Sequence, residues 1–251
     1  MAGKLWRTKR YLIVPDLHVP YHCIQFIRLV TTLIKILKPN GLIQLGDALD
    51  FWQVSSYDKN PLRKRSMMDD VKMYSTILDE WEAALLKGSK DAEIIQLEGN
   101  HEDRLRRFIW KHAKELADGW VRTVPEMLSF KSREIKCSWH EIANYQSCKI
   151  GDCILHHGHY FNAHTAVGNL TRYPKSIITG HTHRYQMASN GEKFSATLGH
   201  GSNEDDTAHQ PTPTGWQQAL GLLTVVNGKS ALEPILVKDG ACILHGKRIS
   251  V

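Results

Sequence analysis

Five short polar clusters hold most of the residues in this sequence that can do chemistry. They are Pro15-Asp16-Leu17-His18, Gly46-Asp47-Ala48-Leu49-Asp50, Gly99-Asn100-His101-Glu102, His157-Gly158-His159 and Gly180-His181-Thr182-His183. Asp16 and His18 are two residues apart, and His181 and His183 repeat that spacing, so each pair can project to one side of a strand end. Imidazole and oxygen donors without thiolate suit Mn, Fe(II) or Zn and argue against a soft copper site. The donors outnumber what one tetrahedral zinc needs. Two ions sharing one carboxylate would use them all. Taken singly, a lone Asp-x-His is usually a surface pair, and Gly-Asp or Gly-Asn is usually a turn. Their joint occurrence favours the metal reading.

Each cluster directly follows an apolar run. Residues 11–14, 42–45, 93–97, 153–156 and 176–179 read as short buried strands. Between them lie helical stripes. Ile24, Ile27, Val30, Ile34 and Leu37 recur at three and four, as do Val71, Tyr74, Leu78, Trp81 and Leu85. Ser66 with Asp69 three residues later predicts a capping box at the start of the second stripe. Leu105, Phe108, Ile109, Ala113 and Leu116 make a third. Strands alternating with helices predict an α/β fold, in which ligands gather at the carboxyl ends of strands. After Gly180 the pattern changes to strands without long helices, with hairpin turns at Asn227-Gly228 and Asp239-Gly240. Residues 200–215 read as a long polar loop, and 1–10 as a basic N-terminal tail.

The chain of 251 residues, 42% hydrophobic and 23% charged, fits one domain over 1–251 with a sizeable core. No run of about eighteen apolar residues is present, so no membrane span is expected. The apolar run behind the basic N-terminus is too short for a signal peptide. Five cysteines with no CxxC pair argue against a disulfide framework or Cys-rich zinc site, and for a reducing cytoplasm. The net charge of +6 permits an anionic partner without identifying one. Fourteen histidines are many for this length, and the polar clusters account for several of them.

In this order the set D-x-H, G-D-x-x-D, G-N-H-E, H-G and G-H-x-H resembles the calcineurin-like metallophosphoesterase superfamily, and small bacterial and phage members in particular. The resemblance spans residues 11–183. It implies a four-layer α/β/β/α sandwich, two mixed sheets flanked by helices, holding two divalent transition-metal ions: Mn first, with Fe and Zn as alternatives. By motif, Asp16, His18 and His183 would hold one ion, Asn100, His157 and His181 the other, and Asp47 both. The residues alone leave His156 and His157 open as the ligand; the family places it directly before Gly, which favours His157. The resemblance further implies attack on phosphorus by a hydroxide shared between the ions. His101 would be the general acid towards the leaving oxygen, and Asp50 its orienting partner.

Departures bear on the substrate. Serine/threonine protein phosphatases of this superfamily carry G-D-x-V-D-R-G, whereas here Asp50 is followed by Phe51 and Trp52, so the phosphate-gripping Arg is missing. Gly99-Asn100-His101-Glu102 does match their version, and Arg184 stands where many relatives have Pro. Arg104 is a candidate contact to substrate phosphate. Arg63, Lys64, Arg65, Arg106, Arg107, Lys111 and Lys114 are solvated by default, or track a nucleic-acid backbone. Trp52, Trp110 and Trp216 are packing residues by default, or stack on bases. The leading expectation is a phosphodiesterase acting on nucleotide or nucleic-acid phosphoesters, with a phosphomonoesterase as the alternative. A non-catalytic metal-binding scaffold is a third possibility. The sequence does not fix the oligomeric state.

Overall fold

The computed structural model describes residues 7–59, 61–139, 147–203 and 215–251. In chain order the elements are β1 (Thr8–Val14), α1 (Ile24–Leu37), β2 (Gly41–Gln44), α2 (Met67–Gly88), β3 (Glu93–Leu97), α3 (Asn100–His112), α4 (Val124–Met127), β4 (Lys136–Ser138), β5 (Cys148–Ile150), β6 (Cys153–His156), α5 (Thr165–Arg172), β7 (Ser176–Thr179), β8 (Gln186–Ser189), β9 (Phe194–Thr197), β10 (Ala219–Val226), β11 (Lys229–Lys238), β12 (Ala241–Leu244) and β13 (Lys247–Ser250). They build two mixed sheets, ordered β13-β12-β11-β10-β1-β2-β3-β4 and β5-β6-β7-β9-β8.

The layers follow from the alternation of apolar side chains along the strands. In β1, Leu12 and Val14 enter the core under the helices, with Phe26, Leu33 and Ile34 of α1 and Tyr74, Leu78 and Trp81 of α2. Tyr11 and Ile13 enter a second core between the sheets, with Ile43, Ile95, Leu155, Ile178 and Leu223. On the far side α5 packs on β7, β8 and β9. The result is the expected α/β/β/α arrangement.

The five strands expected before the polar clusters all form. Ser66 caps α2 as its spacing predicts: its hydroxyl accepts from Asp69 N–H (3.1 Å), while the Asp69 carboxylate accepts from Ser66 N–H (3.4 Å). Both expected hairpin turns have left-handed backbone, at Asn227 (φ 49°) with Gly228 (82°) and at Asp239 (50°) with Gly240 (67°). Strand β1 begins at Thr8 rather than Tyr11, because Thr8, Lys9 and Arg10 continue the ladder opposite Val226, Val225 and Thr224. The end of the expected basic tail is therefore strand. A further hairpin turns at His245-Gly246 to form β13. Most of the expected 200–215 loop lies outside the described residues. Among the described residues no helix is long and apolar enough to cross a membrane.

Candidate metal centre

Parallel strands β1, β2 and β3 of one sheet, and β6 and β7 of the other, deliver the polar clusters to one place. Backbone bonds tie the turns together. Leu17 and His18 N–H both donate to Asp47 O (2.9 Å each), Gly180 N–H to His157 O (2.8 Å) and Gly201 N–H to Asp16 O (2.7 Å). His181 N–H donates to both carboxylate oxygens of Asp16 (2.9 and 3.1 Å).

Among the described residues three donor groups result: one joins His18, Asp50 and His101, with His18 Nδ1 3.3 Å from Asp50 Oδ2, and two match the expected ligand sets. In the first of these two, ligand atoms of Asp16, His18 and His183 lie within 4.8 Å of one another. His18 Nε2 faces His183 Nε2 at 2.9 Å, and Asp16 Oδ1 is 3.6 Å from the latter. Burial holds the pKa of His18 down to about 4 and that of His183 to about 3, so both rings are neutral near pH 7. At most one proton can sit between the two facing nitrogens, and a buried carboxylate adds negative charge. Such a donor set could hold a cation.

In the second group, ligand atoms of Asp47, His157 and His181 lie within 4.8 Å. His157 Nδ1–H donates to Leu45 O (2.9 Å), which turns Nε2 towards Asp47 Oδ2 (3.2 Å) and Asn100 Oδ1 (2.9 Å). A backbone carbonyl on the far nitrogen is the usual way of aiming a metal-binding imidazole. Burial opposes charge on His157, but Asp47, its hydrogen bond and Asp16 outweigh it and lift the pKa to about 10. The pocket therefore has enough negative charge to keep a buried imidazole protonated. A divalent ion answers the same charge and displaces the proton. His181 itself is held down to about 4 by burial and by His157.

Asp47 stands between the groups. Its Oδ2 is 3.2 Å from His157 Nε2 and 3.9 Å from His18 Nε2, and its Oδ1 accepts from His101 N–H (2.8 Å). The clusters approach so closely that two glycines have no room for a side chain. A Cβ on Gly99 would meet Asp47 Oδ1 at 2.1 Å, and one on Gly180 would meet Asp16 Oδ2 at 2.2 Å. Left-handed backbone gathers here too, at His18 (φ 52°), Asp47 (52°), His181 (72°) and His183 (57°). Such conformations cost about 1 kcal/mol or more each and persist where the surroundings impose them.

His101 and Asp50 flank the donors. His101 Nδ1 is 2.9 Å from Asp50 O and 3.2 Å from Asp50 Oδ2, and its Nε2 is 3.8 Å from Asp47 Oδ2. Burial opposes protonation of His101, but Asp47 and the bond to Asp50 prevail and raise its pKa. Arg104, one turn along α3, donates to Asp50 O (2.8 Å) and to His101 Nε2 (2.8 Å). His157, not its neighbour, reaches Asp47. His156 faces the other side of β6, where its ring meets His159 (4.1 Å) and Tyr173 (6.5 Å).

No protein-family model matches the chain. It is 24% identical to the Gene 54 protein of Mycobacterium phage D29, over 91% of this chain and 94% of that protein. It is likewise 24% identical to the Gene 54 protein of Mycobacterium phage L5, over 78% and 75%. Similar solved structures include Vps29 of Entamoeba histolytica complexed with zinc (TM-score 0.49, 16% identity, 96% of this chain and 98% of that one). Another is YfcE, a phosphoesterase from E. coli (TM-score 0.42, 15% identity, 96% and 98%).

Several residues shape the centre in ways that motif reading does not assign. Glu102 is fully enclosed, and its carboxylate accepts from the backbone N–H of Asp47 (2.9 Å), Leu49 (2.9 Å) and Gly99 (2.8 Å). It fastens the second polar cluster to the third. A buried relay runs from α2 to the same turn. Tyr74 OH donates to Gln96 Oε1 (2.5 Å), Gln96 Nε2 to Gln44 Oε1 (2.5 Å), and Gln44 Nε2 to Gly46 O (2.9 Å). His200 stacks on His183 (5.2 Å) with its Nδ1 2.7 Å from Ser202 Oγ, and Trp216 packs edge-on against His183 (4.4 Å). Inward-facing glutamines within otherwise apolar strands were the available signal for the relay; nothing in the local sequence marks the Trp216 contact.

Proposed function

We propose that this chain is a dimetal phosphodiesterase acting on nucleotide or nucleic-acid phosphoesters. The observation that carries the reading is the position of Asp47 between two donor groups, with the Asp50–His101 pair alongside. Asp16, His18 and His183 would hold one ion, Asn100, His157 and His181 the other, and Asp47 both, with Mn preferred over Fe and Zn. Divalent ions held there neutralise phosphoryl oxygens and lower the pKa of a water towards neutrality.

The chain's own groups supply the rest. Asp50 holds His101 by Nδ1, leaving Nε2 to protonate the departing oxygen, a contribution typically worth about 10²–10⁴ in rate. In the structure Arg104 occupies that Nε2 as a donor. When the guanidinium turns to a substrate phosphate, Nε2 is released and takes up a proton from solvent, which the raised pKa of His101 favours, and that proton is the one passed to the departing oxygen. Diesters are favoured because no second-motif Arg clamps a terminal phosphate: Phe51 at that turn is fully buried. The monoesterase alternative draws on Arg104, which could grip a terminal phosphate alone.

With Mn²⁺ supplied, bis-p-nitrophenyl phosphate should be turned over faster than p-nitrophenyl phosphate. Much faster hydrolysis of the monoester overturns the diesterase reading. Two bound ions with no turnover of either favours the scaffold.

A further inference from the structure

We infer that the substrate is a single-stranded polynucleotide whose chain crosses the metal centre between two banks of exposed rings and cations. The inference rests on the hydrolase reading above and specifies its substrate.

One bank lies beyond His101. A groove of about 460 Å³ runs between the segment 54–59 and α3, lined in part by Tyr57, Lys59, Arg104, Phe108 and Lys111. Arg104 belongs to both groove and site, through its bonds to Asp50 O and His101 Nε2. The Tyr57 ring is 78% exposed. Lys59 Nζ lies 5.8 Å from the Phe108 ring. Arg107, also in the groove, is paired with Asp103, Arg104 stands 3.7 Å from Asp50 Oδ1, and Asp58 is the acid in the lining, so Lys59 and Lys111 leave the groove positive towards a ligand.

The other bank lies beyond His181. The Phe161 ring is 6.2 Å from that of His181 and is 64% exposed. Arg184 Cζ stands 5.9 Å from the Phe161 ring, and Arg172 Cζ 4.1 Å from the Tyr160 ring. Cations and exposed ring faces thus recur together on both sides of the centre.

A polymer of phosphates and planar bases matches this pattern. Cations take the backbone, and rings take base faces without regard to sequence. A mononucleotide reaches one bank only. A duplex hides its base faces in the stack, so the rings would contribute little to it. A phosphopeptide presents one phosphate and has no use for cations on both sides.

The probes are fluorescein-labelled oligo(dT) and oligo(U) of about twelve nucleotides, a duplex of equal length, and a phosphopeptide. Binding is followed by anisotropy in EDTA, where hydrolysis is suppressed, and turnover of bis-p-nitrophenyl phosphate is measured separately with Mn²⁺. Tyr57→Ala and Phe161→Ala should each weaken single-strand binding about fivefold or more. Lys111→Ala should lower the magnitude of the logarithmic salt slope by about 0.7. The small diester reaches Arg104 but is too short to reach Tyr57, Phe161 or Lys111, so its turnover should stay unchanged in all three. Unaltered single-strand affinity in these variants, equal affinity for the duplex, or tighter binding of the phosphopeptide overturns the inference. If the variants weaken single-strand binding but the wild type never hydrolyses the small diester, the strand path stands and the hydrolase reading falls.

Discussion

Arg104 Nη2 donates to His101 Nε2 across 2.8 Å, so a permanent cation rests on the nitrogen proposed to deliver the catalytic proton. That contact opposes protonation of His101, against the upward pull of Asp47 and Asp50. Removing it has a definite sign. In Arg104→Ala the His101 pKa should rise. His101 acts while protonated, so the limb on which kcat/KM falls with rising pH should move to higher pH. KM for a diester should rise as well, because the phosphate loses its guanidinium. The measurement is a pH profile of kcat/KM for both proteins at saturating Mn²⁺. A limb that stays in place, or moves down, contradicts the assigned contact.

Glu102 accepts three backbone N–H groups from two different turns while almost wholly buried. Burial and Asp47 push its pKa up to about 7, against the lowering effect of the Leu49 and Gly99 N–H groups. Glu102→Gln keeps the shape but sets an amide NH₂ against backbone donors. Loss of buried charge-assisted bonds of this kind costs roughly 3 kcal/mol. For a chain of this size that lowers Tm by about 6–12 °C. Calorimetry of metal-free protein reads it directly, and a Tm within about 2 °C of wild type would remove Glu102 from its fastening role.

The elements and donors were largely legible because each is a local pattern. Strand, turn and polar cluster recur five times, and a period of two or of three to four residues marks every long element. What escaped depends on contacts across the chain. The Glu102 bond to Asp47 spans 55 residues, and the packing of Trp216 on His183 joins segments that no spacing relates. Helix α5 is short and carries Gly168, so its stripe is weak. The turn at His245-Gly246 escaped because His, though it tolerates the left-handed region, is not a typical first residue there. The family's ligand directly before Gly favoured His157, and the pleat agrees: Leu155 enters the core between the sheets, and His156 therefore points the other way.

Gly180→Ala tests the division of donors into two groups. A Cβ there would stand 2.2 Å from Asp16 Oδ2, so the carboxylate must shift from its place beside His183. Of the other group, the same Cβ would meet the His157 backbone O at 3.6 Å, an ordinary van der Waals contact. Protein purified without chelator should hold close to two ions per chain as wild type and close to one as Gly180→Ala, read by elemental analysis, with hydrolysis reduced at least tenfold. Two ions and full activity in the variant would contradict the placement of Asp16, and a single ion in wild type would contradict a bridging Asp47.

His156, which adjoins the donor His157, offers a view of acid stability. It is 4% exposed, and burial, then His159 and His157, hold its pKa down to about 3. Its unfolded value is near 6.5. Between those two values the unfolded chain binds the proton and the folded chain does not, so stability falls as pH drops from 6.5 towards 3 and is level above 6.5. His18, His181, His183 and His200 are depressed in the same sense. Metal-free wild type should therefore lose stability steeply on acidification. His156→Gln removes one of these protons, and the slope of unfolding free energy against pH should become shallower by up to about 1.4 kcal/mol per pH unit below 6.5. Urea titrations in EDTA at pH 7, 6, 5 and 4.5 measure both slopes. Parallel curves for the two proteins would mean that His156 is protonated as readily in the fold as in the unfolded chain.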